Sequence, residues 1–185
     1  ASGFIGTNLV KKLSDIENIK VTATYLNNRP KIKYCNVKYV KINLTNYNNF
    51  RNKFSKVDFI IHLAADRDPF LRGVKGKEQI KKNQLITENI CKLACKINCK
   101  NIIYISSVYI YSGTKDKKFK EDSLLDPIES LGKSKLACET VLKRYSKKGF
   151  FKCLSIRLFT VYGIGASQKQ FVEIAMNKIK SKKNI

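Results

Sequence analysis

The sequence predicts an α/β fold, a doubly wound parallel sheet with helices on both faces, and three observations point there. Short β-branched runs alternate with longer stretches whose apolar residues recur three and four apart. Several of the short runs are continuously apolar, as strands covered on both faces are. A glycine-bearing turn, Ala1-Ser2-Gly3-Phe4-Ile5-Gly6, leads straight into the first helical stretch. With 185 residues the chain suits one domain, 1–185, against a usual span of about 100 to 200 residues per domain.

In chain order, Phe4 to Leu13 carries the first helical spacing, directly after Gly3. Lys20 to Tyr25 and Val37 to Ile42 follow as strands rich in valine, threonine and tyrosine. Tyr47 to Phe54 is expected as a short helix, and Val57 to Leu63 as an apolar strand. Glu78 to Ile97 is the long helix, its apolar positions lying on one stripe. Asn101 to Ser106 is a strand, Leu131 to Lys147 a helix, Lys152 to Leu158 a strand and Gln168 to Lys180 a last helix. Asp66 to Lys77 and Ser112 to Pro127 read as polar, irregular loops, where such a sheet places its ligand at the carboxyl ends of the strands. The glycine turn has no strand to feed it and SKKNI trails the last helix, so both ends read as cut.

Composition narrows the class. Lysine and arginine number 37 against 14 aspartates and glutamates, a net charge of +23. The lysines are spread evenly from Lys11 to Lys183 and arginine is rare, so the excess reads as a solvated basic surface rather than a nucleic-acid site. It suits steering of small anions. No run of about 18 apolar residues and no basic leader occurs, so no membrane partner is expected and a cytoplasmic location is. Without a secretory signal, the six cysteines are expected as thiols. Cys91, Cys95 and Cys99 share a helical face with no histidine beside them, which favours small buried residues over a metal site.

Gly3 and Gly6 before a helix suit a pyrophosphate, since free backbone N–H groups and the helix dipole meet the anion there. Four more motifs follow in order: His62-Leu63-Ala64-Ala65, Ser106-Ser107 with Tyr111, Gly132-Lys133-Ser134-Lys135, and Arg157-Leu158-Phe159 with Tyr162-Gly163. Together they resemble the extended short-chain dehydrogenase/reductase family, the nucleotide-sugar epimerases and dehydratases, over nearly the whole chain. The resemblance implies a Rossmann fold lacking its first strand and most of its carboxyl-terminal substrate lobe. It implies that Gly3, Phe4, Ile5 and Gly6 hold the cofactor pyrophosphate, with Tyr25, Asn43 and Leu44 on the adenosine side. Leu63, Ala64 and Ala65 line the nicotinamide side, and Asn83 matches the asparagine of the next helix. His62, the only histidine, reads as a packed structural residue. No acid ends Lys20 to Tyr25, which matches the family's second strand, and Arg29 and Lys31 follow, which favours NADP over NAD as cofactor.

By the same resemblance, catalysis uses a serine, a tyrosine and a lysine four residues after it. The lysine and the oxidised nicotinamide lower the phenol's pKa so that it can take a hydroxyl proton. Ser107 matches the serine and also lies on the substrate side; Lys135 matches the lysine, which also binds the ribose. The tyrosine position is Leu131, which can neither ionise nor hydrogen-bond. Tyr109 and Tyr111 are the nearby phenols. Val108-Tyr109 stands where the 4,6-dehydratases carry an acidic pair, which argues against dehydration, and Thr160 stands where relatives hold sugar-nucleotide phosphate with asparagine.

The expectation is an NAD(P)-dependent nucleotide-sugar epimerase or reductase acting on a nucleoside-diphosphate sugar, possible as a homodimer. The alternative is a non-catalytic dinucleotide-binding or regulatory protein of the same fold, for which Leu131 is the main support.

Overall fold

The structure, a computed structural model, describes residues 1–30, 32–66, 68, 71–115, 118–163, 165–166 and 171–181. In chain order come α1 (Phe4–Ser14), β1 (Val21–Tyr25), β2 (Val37–Lys41), a 3-10 turn at Tyr47–Asn49 and β3 (Phe59–His62). Then follow α2 (Gly73–Lys96), β4 (Asn101–Ser107), a second 3-10 turn at Val108–Tyr111, α3 (Ser130–Lys147), β5 (Lys152–Leu158) and α4 (Phe171–Lys180). Every described strand pair is parallel. β1 pairs with β2 from Val21 opposite Val37 to Tyr25 opposite Lys41. β4 lies between β3 and β5, with Asn101 opposite Phe59 on one side and Lys152 on the other. Parallel sheets with flanking helices are the Rossmann-like arrangement that the sequence predicts. They form two compact units, residues 1–41 with 159–185, and residues 42–158.

In the 42–158 unit, α2 and α3 present matching stripes. Gln79, Asn83, Ile86, Ile90 and Ala94 on α2 are buried at helical spacing, as are Leu131, Ser134, Lys135, Cys138 and Leu142 on α3. These stripes close over Ile102 and Tyr104 of β4. Burying a side chain such as Leu142 or Ile102, each 1% exposed, stabilises by about 1.5–3 kcal/mol. Asn98, φ +52°, follows α2 and Gly149, φ +77°, follows α3, left-handed positions that stop a helix. In the other unit, a smaller core forms around Val10, Ala23 and Val37.

Three local expectations change. Tyr47 to Phe54 is not an α-helix: only Tyr47–Asn49 turns, as 3-10, because three asparagines in eight residues favour local turns over a segment too short to propagate. Phe50 is nevertheless fully buried there. α2 starts at Gly73, not Glu78, so Gly73 to Lys77 is helical rather than loop. Gly73 enters with φ +56°, and a Cβ on Gly76 would stand 3.2 Å from the Ser130 Cβ, so the glycines that read as breakers admit the helix start and its contact with α3. The strands of this unit are not covered on both faces by its own helices: Phe59, Leu154 and Ile156 are exposed opposite the α2 and α3 side. The last helix is described over Phe171–Lys180; residues 168–170 of the expected Gln168 to Lys180 lie outside the described residues. The remaining boundaries move by one or two residues, and β5 keeps its expected Lys152–Leu158.

Candidate functional site

The residues singled out by sequence divide between the two units. In the first, Gly3 is the N-cap of α1 with extended backbone and no side-chain cap, so the first-turn N–H groups lack an intrahelical acceptor. A Cβ at Gly3 would meet nothing within 4 Å, leaving the approach open, whereas one at Gly6 would stand 2.9 Å from the Ala1 Cα. Gly3 therefore admits a neighbour and Gly6 permits packing. No acid lies in that first turn, so the dipole's positive end is unopposed. These features fit a pyrophosphate. Gly163 and Gly165 are both at positive φ, and a Cβ added to either would stand 3.9 Å from the Phe4 ring. Tyr25 ends β1 half-buried, and Arg29 and Thr160 are exposed. Lys31 lies outside the described residues.

In the 42–158 unit, Asn43 is exposed and its side-chain oxygen accepts from the Thr45 N–H and hydroxyl, 3.1 and 2.8 Å. Leu44 is anchored by Asn89, whose amide donates to its carbonyl at 2.9 Å. Leu63, Ala64 and Ala65 leave the end of β3 half-buried. Asn83 is 2% exposed; its oxygen accepts the Asp66 N–H, and its nitrogen donates to the Asp66 carbonyl and the Ser134 hydroxyl, all at 2.7 Å. It fixes the loop after β3 to α2 and α3.

Ser107 ends β4, and its oxygen accepts the Tyr109 N–H at 3.3 Å. Lys135, 7% exposed, donates from Nζ to the Ile105 carbonyl at 2.7 Å, two residues before Ser107. The same ammonium lies 4.9 Å from the centre of the Tyr104 ring. A buried ammonium needs such partners, because desolvation without them is costly. Leu131, also 7% exposed, precedes Lys135 by one helical turn on α3.

His62 is 3% exposed, and its Nε2 lies 3.0 Å from the Thr87 hydroxyl. That hydroxyl donates to the Asn83 carbonyl, so His62 donates to it. Burial, then the charge of Lys135, pushes the His62 pKa down to about 3. It is a neutral structural ring. Tyr111 is 3% exposed, stacks on Phe119 with ring centres 4.9 Å apart, and donates to the Lys120 carbonyl at 2.9 Å. Arg157 donates to the Tyr111 oxygen, to the Glu121 carbonyl and to both oxygens of Glu139. The carboxylate of Glu139 raises the Arg157 pKa further. Tyr111 is thereby committed to structure.

Asp66, Ser134 and Glu139 escaped the sequence reading as supports of the site. Ser134 carried a signal, a small polar residue on the stripe of α3 that also bears Leu131, Cys138 and Leu142. Five of the cysteines are buried or half-buried, and burial raises their pKa values, Cys91 most clearly. Among the described residues no group of three metal-binding side chains forms, and no helix is long and apolar enough to cross a membrane.

The family model for the NAD dependent epimerase/dehydratase family matches residues 1–185. An uncharacterised protein of Methanocaldococcus jannaschii is 30% identical over 96% of this chain and 60% of its own length. The dTDP-D-glucose 4,6-dehydratase of Homo sapiens is 25% identical over 88% of this chain and 49% of its own. Among solved structures, UDP-glucuronic acid 4-epimerase from Bacillus cereus, in complex with UDP-glucuronic acid and NAD, superposes with a TM-score of 0.82 at 21% identity. That match covers 99% of this chain and 62% of the other. The chain thus spans about half to three fifths of the length of these proteins.

Proposed function

The chain belongs to the NAD-dependent epimerase/dehydratase family, and on that premise we propose that it binds a nicotinamide dinucleotide and a nucleoside-diphosphate sugar and carries hydride and proton transfer at a sugar carbon. The observation that supports this most directly is the ammonium of Lys135, buried and held on the Ile105 carbonyl at the end of β4 that bears Ser107. A bound nicotinamide supplies the hydride acceptor. Gly3, Phe4, Ile5 and Gly6 hold the pyrophosphate, with Tyr25, Asn43 and Leu44 toward the adenosine and Leu63, Ala64 and Ala65 toward the nicotinamide. Asn83 keeps the loop after β3 in place for it. Lys135 binds ribose hydroxyls and offers positive charge where a hydroxyl proton departs; Ser107 orients that hydroxyl, and Thr160 contacts the sugar nucleotide.

The absence of an acid after β1 and the presence of Arg29 support NADP. Val108-Tyr109, in place of an acidic pair, supports epimerisation or reduction over dehydration. A homodimer belongs to the same reading, to be checked by sedimentation. A second reading, non-catalytic dinucleotide binding, has one specific support: buried Leu131 at the tyrosine position.

Isothermal calorimetry with NAD+ and NADP+, followed by UDP-glucuronic acid, tests the proposal. Binding heat from one dinucleotide, lost in Lys135→Ala, is the expected result; no heat from either overturns it. Dinucleotide binding with no turnover in the parent and none gained in Leu131→Tyr selects the non-catalytic reading.

A further inference from the structure

The geometry points to Tyr109 as the side chain that moves the proton in place of a phenol at position 131, an inference that rests on the function proposed above. The backbone of Tyr109 touches both halves of the site in the 42–158 unit. Its N–H is held by the Ser107 oxygen at 3.3 Å. Its carbonyl lies against the first turn of α3, where a Cβ added to Gly132 would stand only 2.3 Å from the oxygen. Gly132 directly follows Leu131, and Lys135 is one turn further along the same helix. The Tyr109 backbone therefore joins the serine to the turn that should carry the phenol. The next two residues, Ile110 and Tyr111, are 0% and 3% exposed, so the turn is anchored, while the Tyr109 side chain is 40% exposed.

The other phenols of the unit have different commitments. Tyr104 is 1% exposed, and burial raises its pKa. Tyr111 is held by Lys120 and Arg157. Tyr145 donates to Glu88 at 2.9 Å, and its pKa is pushed up to about 12 by burial and that carboxylate. Tyr47 packs edge-on to buried Phe50.

In the step, the sugar hydroxyl gives its proton to the Tyr109 phenolate while the hydrogen on the same carbon leaves as hydride for the oxidised nicotinamide. The carbon–oxygen bond becomes a carbonyl, the phenolate becomes a phenol and the dinucleotide is reduced. The reverse transfer regenerates both.

The test is nitration of the full chain by tetranitromethane, read peptide by peptide, with and without saturating dinucleotide and UDP-glucuronic acid. Tyr109 is expected to nitrate in the free chain and several-fold more slowly in the loaded one. Tyr109→Phe is expected to keep its dinucleotide affinity by calorimetry and lose about 10² to 10⁴ in the rate of dinucleotide reduction, with Leu131→Tyr in that background recovering it. Undiminished nitration in a chain that binds dinucleotide, or a Tyr109→Phe rate equal to the parent's, overturns this inference alone. No binding heat overturns the proposed function and this inference with it.

Discussion

Asn83 on α2 and Ser134 on α3 are joined by a 2.7 Å hydrogen bond, and the same carboxamide closes on both backbone groups of Asp66. One side chain thus fixes two helices and the loop that leaves β3. Asn83→Ala removes one buried and two partly buried hydrogen bonds and orphans their partners, at a cost of about 3 kcal/mol. The urea midpoint should fall accordingly, and the Asp66 amide should exchange with solvent faster than its neighbours. An unchanged exchange rate at Asp66 would show that the loop is held by other contacts.

The ion pair of Arg157 and Glu139 joins β5 to α3, with contacts of 3.2 and 2.8 Å and side chains only 19% and 11% exposed. Arg157→Met leaves the carboxylate desolvated and should cost about 3–5 kcal/mol. Replacing both partners, Arg157→Met with Glu139→Leu, should recover most of that loss. Chemical denaturation of the two variants checks the order.

His62 makes stability depend on pH. Its folded pKa, about 3, lies below the ordinary 6.5, so the unfolded chain binds the proton first as pH falls. The contribution is complete above about pH 6.5 and declines by about 1.4 kcal/mol per pH unit between there and the folded value. Stability measured from pH 7 to 4 should follow that slope, and His62→Gln should flatten it. Equal slopes in both proteins would refute the assignment.

The thiols should divide one to five. Cys35 is exposed, whereas Cys91, Cys99 and Cys138 are buried and Cys95 and Cys153 half-buried. Because the thiolate is the reactive form and burial disfavours it, Ellman's reagent should titrate one thiol rapidly in the native chain and the rest only on unfolding. Cys35→Ser should abolish the fast phase.

Much of this molecule is legible in its sequence. The run Lys152–Leu158 is recovered residue for residue, since alternating aliphatic side chains bounded by a glycine leave little choice of local structure. Tyr47–Phe54 was not legible, because Phe50 is buried by distant partners while the asparagines around it turn the chain. The start of α2 was hidden for a related reason: Gly73 and Gly76 suit a sharp entry and a close helix contact, neither visible in spacing.

Sequence by itself determined the order of strands and helices, the glycine opening of α1 and the single turn between Leu131 and Lys135, because each depends on neighbours a few bonds apart and on a 3.6-residue period. Only the tertiary structure decided that Asn83 grips Asp66 and Ser134, that Arg157 locks Tyr111, and that the Tyr109 backbone joins Ser107 to the turn at Gly132. Those pairings join residues 17 to 51 positions apart in the first case, and partners for buried polar groups are chosen by what packing brings within hydrogen-bond reach.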